Sequence, residues 1–535
     1  MAIRLNGIFK DNMVLQRDKE IRIFGEVAPG STAPVASKII DHDGNTIRTG
    51  ETDEIYDGGF FIVSLESLPA GGPYAIDVKS GKDSVRLSGV FMGDLWLASG
   101  QSNIEYPLGR SEGAKAEMVR CPKDCIHFYN VPAAGDCDEQ QRADEEATEW
   151  KVLDPKNCAD VTGIGYYFAK TLRTYMKKHS RKNDVHIGII GCYLGGTSVS
   201  CWQSAESLSR TQEGRRYLDA YDAESKGKTR ASYEAELEEY GRACARYDKR
   251  LRDYLKDNPY ATYLEGERVI GNFPWPPPPG PSDPRRPGAL FSTMILRLVP
   301  LSLKGVIFYQ GEEDCEEHSA EYGAVFRTLI EEWRVMFCED DLPFLFCQLP
   351  MYISRDRKYM DYDDMHWPRL RKCQAETALT VPNTYMAVLT DCGEFDNIHP
   401  SDKKTPGERL AKLALHFVYG YKKVPAVAPY ATNVRRGECV EIVFDGDFEQ
   451  LKLLTTFDGA DSGFEVAGDD NVFYKARAEI DFDGKTVILS CPQVKSPARV
   501  RYAYFSYGSA ALTCDTGLAA APFEAGIDEG ISSYY

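Results

Sequence analysis

The sequence predicts an α/β fold in which a three-layer α/β/α domain with a parallel sheet is flanked by β-sandwich-type domains. Three observations predict it: residues 1–90 are rich in strands and turns, strands alternate with helices over 91–425, and strands return over 426–535. The 535 residues exceed what one hydrophobic core supports, and roughly two to four domains of about 100–200 residues are expected. These three ranges are therefore the predicted domains.

The flanking regions are predicted to be β-rich because short apolar runs are separated by closely spaced turn residues. In the first region, residues 21–25 and 60–63 are such runs, and glycine pairs at 58–59 and 71–72 mark turns. Turns at this spacing are typical of a β-sandwich. The clearest runs of the last region are 440–444, 486–489 and 500–504.

The middle region is predicted to hold a parallel sheet covered on both faces by helices. Ile164, Phe168 and Leu172 fall on one face of a helix, as an amphipathic segment requires. Short apolar strands that alternate with such helices indicate the βα repeat of a parallel sheet. The predicted strands are residues 95–98, 185–190, 306–309, 344–348 and 386–390.

An insert at about 204–288 interrupts this alternation. Tyr233, Tyr240, Tyr247 and Tyr254 belong to one apolar stripe of a helix, and a proline-rich segment follows at 274–281. We expect the stripe to pack on its own chain; the alternative is the seam of a homodimer.

Composition excludes some partners. The net charge of −18 and the lack of a long basic run argue against nucleic acid. No run of about 18 apolar residues predicts a membrane span, and the first residues show no apolar signal-peptide core, which favours the cytoplasm. The 15 cysteines are without paired metal-site spacing, and we expect them to be mostly reduced and buried.

Ser102 is the most informative residue because it closely follows the strand predicted at 95–98, among Gly, Gln and Asn. A serine in the crevice at a strand end can act as a nucleophile if a base lies close by. An Asp three residues before a His can supply such a base together with its orienting carboxylate. That spacing occurs at Asp124/His127, Asp363/His366 and Asp396/His399. Only the last follows a predicted strand and precedes a helix, so His399 is the predicted base; the alternative is a structural histidine hydrogen-bonded within its loop.

Two further strand ends could donate hydrogen bonds to an oxyanion, as acyl transfer requires. Gly195 and Gly196 follow the strand at 185–190, and paired glycines let a backbone N–H approach a ligand. Gln310 follows the strand at 306–309 and carries a side-chain amide. A plain turn and a solvated glutamine are the alternatives.

These segments, in this order, resemble the sialate O-acetylesterase branch of the SGNH hydrolases. The residues that carry the resemblance are the runs GDLWLASGQSN at 93–103, GGT at 195–197 with Trp202, GVIFYQGE at 305–312, and DNIHP at 396–400 followed by GERLA at 407–411. Residues 9–17, 500–503 and 517–523 are also similar to the ends of that family. The resemblance covers most of the chain.

The resemblance implies an SGNH-hydrolase-like middle domain and a carbohydrate esterase that needs neither a metal nor an organic cofactor. Ser102 would attack an acetyl carbonyl, His399 would take its proton, and Asp396 would orient the imidazole. The oxyanion would be held by the Ser102 N–H, by an N–H of Gly195 or Gly196, and by the Gln310 amide. The resemblance also makes Gln101 a candidate for substrate contact, and Asn103, Trp202 and Glu312 candidates for substrate contact or site structure.

The expected reaction is removal of O-acetyl groups from sialic acids through an acetyl-serine intermediate. An acetylesterase acting on xylan or xyloglucan is the alternative with the same catalytic residues. A non-catalytic carbohydrate-binding protein and a glycosidase using Glu312, Glu313 or Asp391 are alternatives of other classes.

Overall fold

A computed structural model describes residues 3–28, 31, 33–123, 125–179, 185–359, 363–437, 439–454, 461–528 and 531. Asp124 of the sequence analysis lies outside these ranges. The predicted mixed α/β class is confirmed, since 24 strands and 12 α-helices are found in the described part of the chain. No helix in these ranges has the length and apolar character needed to cross a bilayer.

In the described part of the first hundred residues, the regular elements are strands and one short 3₁₀ turn. β1, β3 and β6 make a three-stranded antiparallel sheet, while β4 pairs with β5 and β7, β7 pairs with β8, and β2 runs parallel to β8. The strands are β1 Ile3–Leu5, β2 Val14–Gln16, β3 Ile21–Val27, β4 Val35–Ile40, β5 Thr46–Thr52, β6 Phe60–Leu65, β7 Gly71–Ser80 and β8 Asp83–Gly100.

β8 joins this region to the next sheet. Its first half pairs with β7, and its second half, from Asp94 to Gly100, lies in the central sheet. One strand of 18 residues therefore crosses position 90 and fixes both sheets to each other. Leu95, Trp96 and Leu97 in its second half are fully buried.

The central sheet has the order β10-β9-β11-β8-β12-β13-β14, and its pairs are parallel except for β9 with β10. Its strands after β8 are β9 Ile126–Asn130, β10 Lys151–Val152, β11 Ile187–Tyr193, β12 Gly305–Tyr309, β13 Phe344–Cys347 and β14 Thr384–Ala387. Nearly all of their residues are buried, as strands covered on both faces require.

The helices fall mainly between these strands and in the insert. They are α1 Ser102–Glu105, α2 Ala114–Val119, α3 Glu139–Ala147, α4 Gly163–His179, α5 Ala205–Ser209, α6 Gln212–Glu224, α7 Arg230–Asp257, α8 Tyr263–Ile270, α9 Tyr322–Met336, α10 Arg355–Tyr359, α11 His366–Thr380 and α12 Lys404–Leu413.

α7 contains the predicted tyrosine stripe, and two of its tyrosines, Tyr233 and Tyr247, are buried. Tyr233 lies against Gly280 of the proline-rich segment, and Tyr247 makes an edge contact with Phe273. The Tyr240 hydroxyl donates to the Pro274 carbonyl at 3.0 Å. The stripe thus packs on its own chain.

The last region contains three antiparallel sheets, with the orders β15-β16-β21-β20, β17-β23 and β19-β18-β22-β24. Its strands are β15 Tyr430–Arg436, β16 Val440–Asp445, β17 Leu451–Leu453, β18 Phe464–Ala467, β19 Phe473–Lys475, β20 Arg477–Ile480, β21 Thr486–Ser490, β22 Arg499–Tyr502, β23 Leu512–Cys514 and β24 Phe523–Gly526. The fully buried Arg371 of α11 donates to the carbonyls of Ala503 and Phe505, which ties this region to the central one.

Candidate active site

Three neighbouring strands end at one edge of the central sheet. Gly100 of β8 pairs with Tyr193 of β11 on one side and with Tyr309 of β12 on the other. The segments that follow these strands begin side by side, and they contain Ser102, the glycine pair 195–196 and Gln310. This edge is where ligands bind to open parallel sheets.

The turn between β8 and α1 depends on Gly100. Its φ is +132°, and a Cβ at this position would lie 2.1 Å from the carbonyl oxygen of Tyr309. Only glycine fits such a turn. The turn makes Ser102 the first residue of α1, and its N–H donates to no acceptor in the described ranges. First-turn N–H groups have no partner within their own helix and favour negative charge nearby.

Ser102 and His399 are brought together from positions 297 residues apart, with 2.8 Å between Ser102 Oγ and His399 Nε2. Burial of the ring, with a smaller contribution from Lys403, lowers the pKa of His399 to about 4. His399 is therefore neutral at physiological pH and can accept a proton. A base in hydrogen-bond contact with a serine hydroxyl is the arrangement that activates the nucleophile.

Glu394 holds the loop that carries His399. One of its carboxylate oxygens accepts from the N–H and the hydroxyl of Ser401, each at 2.7 Å, and the other accepts from Asn397 Nδ2 at 2.7 Å. Asn397 Oδ1 in turn accepts the N–H of His399 at 3.0 Å. The backbone of His399 is thereby fixed on both sides.

Asp396 does not contact His399 in this structure, which differs from the expected pairing. Asp396 Oδ1 accepts the N–H of Arg355 at 2.9 Å, and Oδ2 forms ion pairs with Arg355 at 3.0 Å and Arg268 at 4.0 Å. The φ of Asp396 is +57°, a left-handed conformation. Its carboxylate is thus held by two arginines, and in the described ranges no hydrogen bond joins it to the imidazole.

The two glycines of the predicted oxyanion hole differ in their contacts. The N–H of Gly195 donates to Glu105 Oε2 at 2.7 Å, whereas the N–H of Gly196 has no acceptor among the described residues. A Cβ on Gly195 would lie 3.3 Å from Ser102 Cβ, so this loop packs directly on the serine. The available backbone donors beside Ser102 are therefore its own N–H and that of Gly196.

The Gln310 side chain is not available as an oxyanion donor in this structure. Its amide nitrogen donates to the carbonyl of Thr197 at 3.0 Å, to Gln101 Oε1 at 3.2 Å and to the carboxylate of Asp314. An amide NH₂ has only two hydrogens, so these three acceptors saturate it. Gln310 is buried and links the end of β12 to the loop after β11.

Gln101 and Trp202, two of the predicted substrate contacts, are buried structural residues. Gln101 Oε1 accepts the N–H of Gly311 and the Gln310 amide, each at 3.2 Å. Trp202 is fully buried, and its indole N–H donates to Thr197 Oγ1 at 3.1 Å. Neither side chain is free to contact a substrate.

Asn103 and Glu312, the other two candidates, form a buried polar network with Lys403. Asn103 Nδ2 donates to Glu312 Oε1 at 2.5 Å and to the Ile398 carbonyl at 2.9 Å, while Lys403 Nζ donates to Asn103 Oδ1 at 2.5 Å. Burial raises the pKa of Glu312 to about 7 and lowers that of Lys403 to about 7. Asn103 is fully buried, so only Glu312 reaches the neighbouring cavity.

A cavity of about 780 Å³ opens beside this edge of the sheet. Gly196, Glu312 and Ile398, which neighbour the Ser102–His399 pair in sequence or space, line one part of it. Trp275 of the proline-rich segment and Arg285 form another part of the wall. The insert thus contributes directly to the wall of a cavity that reaches residues next to Ser102 and His399, although those two residues do not line it themselves.

The remaining sequence alternatives have structural partners. Asp363 accepts from the N–H and hydroxyl of Ser506, each at 2.7 Å, rather than from His366. Asp391 forms a bidentate ion pair with Arg409, whose Nη1 and Nη2 donate to Oδ1 and Oδ2 at 2.6 Å each. Asp363 is therefore not paired with His366 as an orienting carboxylate, and Asp391 is held by Arg409 rather than free to act as a glycosidase carboxylate.

Several residues of this site were missed by the sequence analysis, namely Glu105, Arg285, Glu394 and Lys403. The signal for Lys403 was a cation immediately before a helix, where the helix dipole disfavours positive charge. Glu105 lies one helical turn after Ser102, on the side that faces its neighbouring loop. Arg285 and Glu394 gave no signal, because their roles depend on contacts made only in the folded chain.

Comparisons with known proteins show which proteins this chain is similar to. Residues 283–416 match the family model described as "Carbohydrate esterase, sialic acid-specific acetylesterase". The sialate O-acetylesterase of Mus musculus is 24% identical over 456 residues, covering 81% of this chain and 77% of its own. The human sialate O-acetylesterase is also 24% identical and covers 81% of this chain and 74% of its own. The chain is a relative of the sialate O-acetylesterases.

A solved structure extends this relationship to the whole chain. The novel carbohydrate acetylesterase XAC1771 from Xanthomonas citri is 26% identical with a TM-score of 0.71, and the match covers 98% of this chain and 99% of that one. Together these relatives identify a carboxylic ester hydrolase. The resemblance drawn from the motifs is confirmed, and a non-catalytic carbohydrate-binding protein is not what the relatives indicate.

Proposed function

We propose that this protein is an SGNH-type serine esterase that removes O-acetyl groups from sialic acids through an acetyl-Ser102 intermediate. The observation that carries the proposal is the 2.8 Å contact between Ser102 Oγ and His399 Nε2 at the edge of the parallel sheet. The match of residues 283–416 to a sialic acid-specific acetylesterase family supports the choice of substrate.

The reaction would proceed in two steps. Ser102 Oγ attacks the acetyl carbonyl while its proton passes to His399 Nε2, and the sugar oxygen leaves with that proton. Water then attacks the acetyl-serine, giving its proton to His399, and acetate leaves as Ser102 regains a proton. The low pKa of His399, about 4, keeps the imidazole neutral before each step.

The oxyanion would be stabilised by the N–H groups of Ser102 and Gly196, which have no acceptor among the described residues. Preorganised donors of this kind contribute a large part of the rate of acyl transfer. Gln310 would act indirectly, by holding the loop that contains Gly196 against β12.

The proposal is tested by acetate release from an O-acetylated sialic acid by wild-type protein and by Ser102→Ala. We expect the variant to lose about 10⁶-fold in kcat, as serine triads do when the nucleophile is removed. Ser99→Ala is the matched control, since Ser99 lies near the end of β8, three residues before Ser102, is buried, and has a hydroxyl without a partner in the described ranges. Near-normal activity of Ser102→Ala would refute the proposed nucleophile.

A second candidate function is deacetylation of an uncharged polysaccharide such as xylan or xyloglucan. The cavity favours it in one respect, because eight carboxylate side chains and only two arginines line its wall. Measuring acetate release from acetylated xylan oligosaccharides beside O-acetylated sialic acid decides between the two. A large preference for the xylan substrate would replace the sialate assignment while keeping the same catalytic pair.

A further inference from the structure

Arg285 is a cation beside the nucleophile that the proposed mechanism does not use. Its Nη2 lies 3.4 Å from the carbonyl oxygen of Gly195, the residue that packs on Ser102. The side chain is 26% exposed and lines the cavity next to Gly196. The guanidinium is therefore positioned where part of a substrate bound at Ser102 would lie.

The hydrogen-bonding capacity of this guanidinium is mostly unused. Its Nε is buried with no partner in the described ranges, and its Nη1 is 3.8 Å from Asp283 Oδ1, beyond hydrogen-bond distance. The Nη2 contact at 3.4 Å is long for a hydrogen bond. The two terminal nitrogens of a guanidinium have four N–H donors, and at Arg285 the one hydrogen bond from them in the described ranges is the long contact to Gly195, so most of the four remain available to a ligand.

Trp275 fixes the guanidinium without using its donors. The Arg285 Cζ lies 5.4 Å from the centre of the Trp275 ring, a cation–π distance. A Cβ placed on Gly196 would come within 1.8 Å of the same ring, so the indole packs tightly on that glycine. Trp275 is nevertheless 47% exposed, which leaves part of its face open to the cavity.

Three carboxylates interact electrostatically with Arg285: Glu105, Asp283 and Glu313. Burial raises the pKa of each, and that of Glu313 reaches about 7. Glu105 is engaged by the N–H of Gly195, and Asp283 by the hydroxyl of Tyr221. None of the three forms a hydrogen bond with the guanidinium in the described ranges.

The second arginine of the cavity differs in this respect. Arg357 Nη1 and Nη2 lie 2.5 Å from Asp364 and 2.6 Å from Glu316. Its charge is therefore matched by two carboxylates in direct contact. Of the two arginines that line the cavity, Arg285 is the one with free donors for an anion.

We propose that Arg285, held against Trp275, binds the carboxylate of an acidic O-acetylated sugar and thereby determines substrate specificity. The inference rests on the proposed function, because it assigns the group that distinguishes a sialic acid from an uncharged sugar. A planar guanidinium matches a carboxylate with two parallel N–H···O bonds, which gives orientation as well as affinity. The exposed face of Trp275 would contact the apolar side of the same sugar.

The test compares acetate release from an O-acetylated sialic acid with release from its carboxamide, which has the same shape without the charge. Wild-type protein should favour the acid by about 10- to 100-fold in kcat/KM, the range for hydrogen bonds between charged groups. In Arg285→Gln the ratio of the two kcat/KM values should fall to near one. Arg285→Lys, which keeps the charge without the planar fork, should give an intermediate ratio.

Arg357→Gln is the matched control and should keep the wild-type ratio. An equal rate of wild-type protein on acid and carboxamide would overturn the proposal whether or not the Arg285 variants fold. An unchanged ratio in folded Arg285→Gln would also overturn it. If wild-type protein released acetate from neither sugar but hydrolysed 4-nitrophenyl acetate, the sialate assignment itself would fail instead.

Discussion

Replacement of Asp396 by Asn tests whether this carboxylate orients His399. In the structure Asp396 binds Arg355, and Asn would keep the oxygen that accepts the Arg355 N–H at 2.9 Å. The change removes the ion pair at 3.0 Å, whose side chains are 41% and 22% exposed. A pair this exposed contributes at most about 1 kcal/mol to the free energy of unfolding. Even if all of that were lost in the transition state, the rate would fall by no more than about fivefold.

Loss of a carboxylate that orients a catalytic histidine costs far more, about 10⁴-fold in kcat. The assay is hydrolysis of 4-nitrophenyl acetate by Asp396→Asn, with circular dichroism to verify the fold. Arg355→Gln is the matched control, because it removes the same ion pair and leaves the Asp396 carboxylate in place. We expect kcat to fall by no more than about fivefold in both variants. A fall near 10⁴-fold in Asp396→Asn alone would show instead that the Asp396 carboxylate orients His399.

Two further outcomes follow from the site. The acidic limb of the kcat/KM–pH profile should have its midpoint near pH 4, because neutral His399 is the active form and its pKa is lowered to about 4. Lys403→Met removes a charge that lowers this pKa, so the limb should move to higher pH; a limb near pH 6.5 in the wild type would contradict the assignment. Gln310→Ala should destabilise the protein by about 2–4 kcal/mol, since it leaves buried acceptors unpaired. In thermal melts paired with kinetics, a kcat loss of 10²–10³-fold without destabilisation would instead mark the Gln310 amide as an oxyanion donor.

The sequence was sufficient to predict five strands of the central sheet and the approach of His399 to Ser102. Ser102 and His399 were identified because each occupies a position that the alternating pattern defines, after a buried strand or before a helix. Parallel pairing then brings such positions to one edge whatever the distance along the chain. The 2.8 Å contact follows from topology more than from any local preference.

Side-chain direction was the part that the sequence could not supply. Asp396 lies three residues before His399, but its left-handed backbone and two arginines turn the carboxylate away. Gln310 stands at the expected strand end, yet its amide binds acceptors of its own chain. Spacing places a residue near a site, whereas competing partners decide what its polar atoms contact.

Trapping the acyl-enzyme tests most directly whether Ser102 is the nucleophile. Wild-type protein is mixed with excess 4-nitrophenyl acetate, quenched in acid, digested and examined by mass spectrometry, with Ser102→Ala and Ser99→Ala in parallel. We expect one acetyl group on the peptide that contains Ser102 in the wild type and in Ser99→Ala, and none in Ser102→Ala. Acetylation of a different residue that persists in an active Ser102→Ala protein would contradict the assignment of Ser102 as the nucleophile.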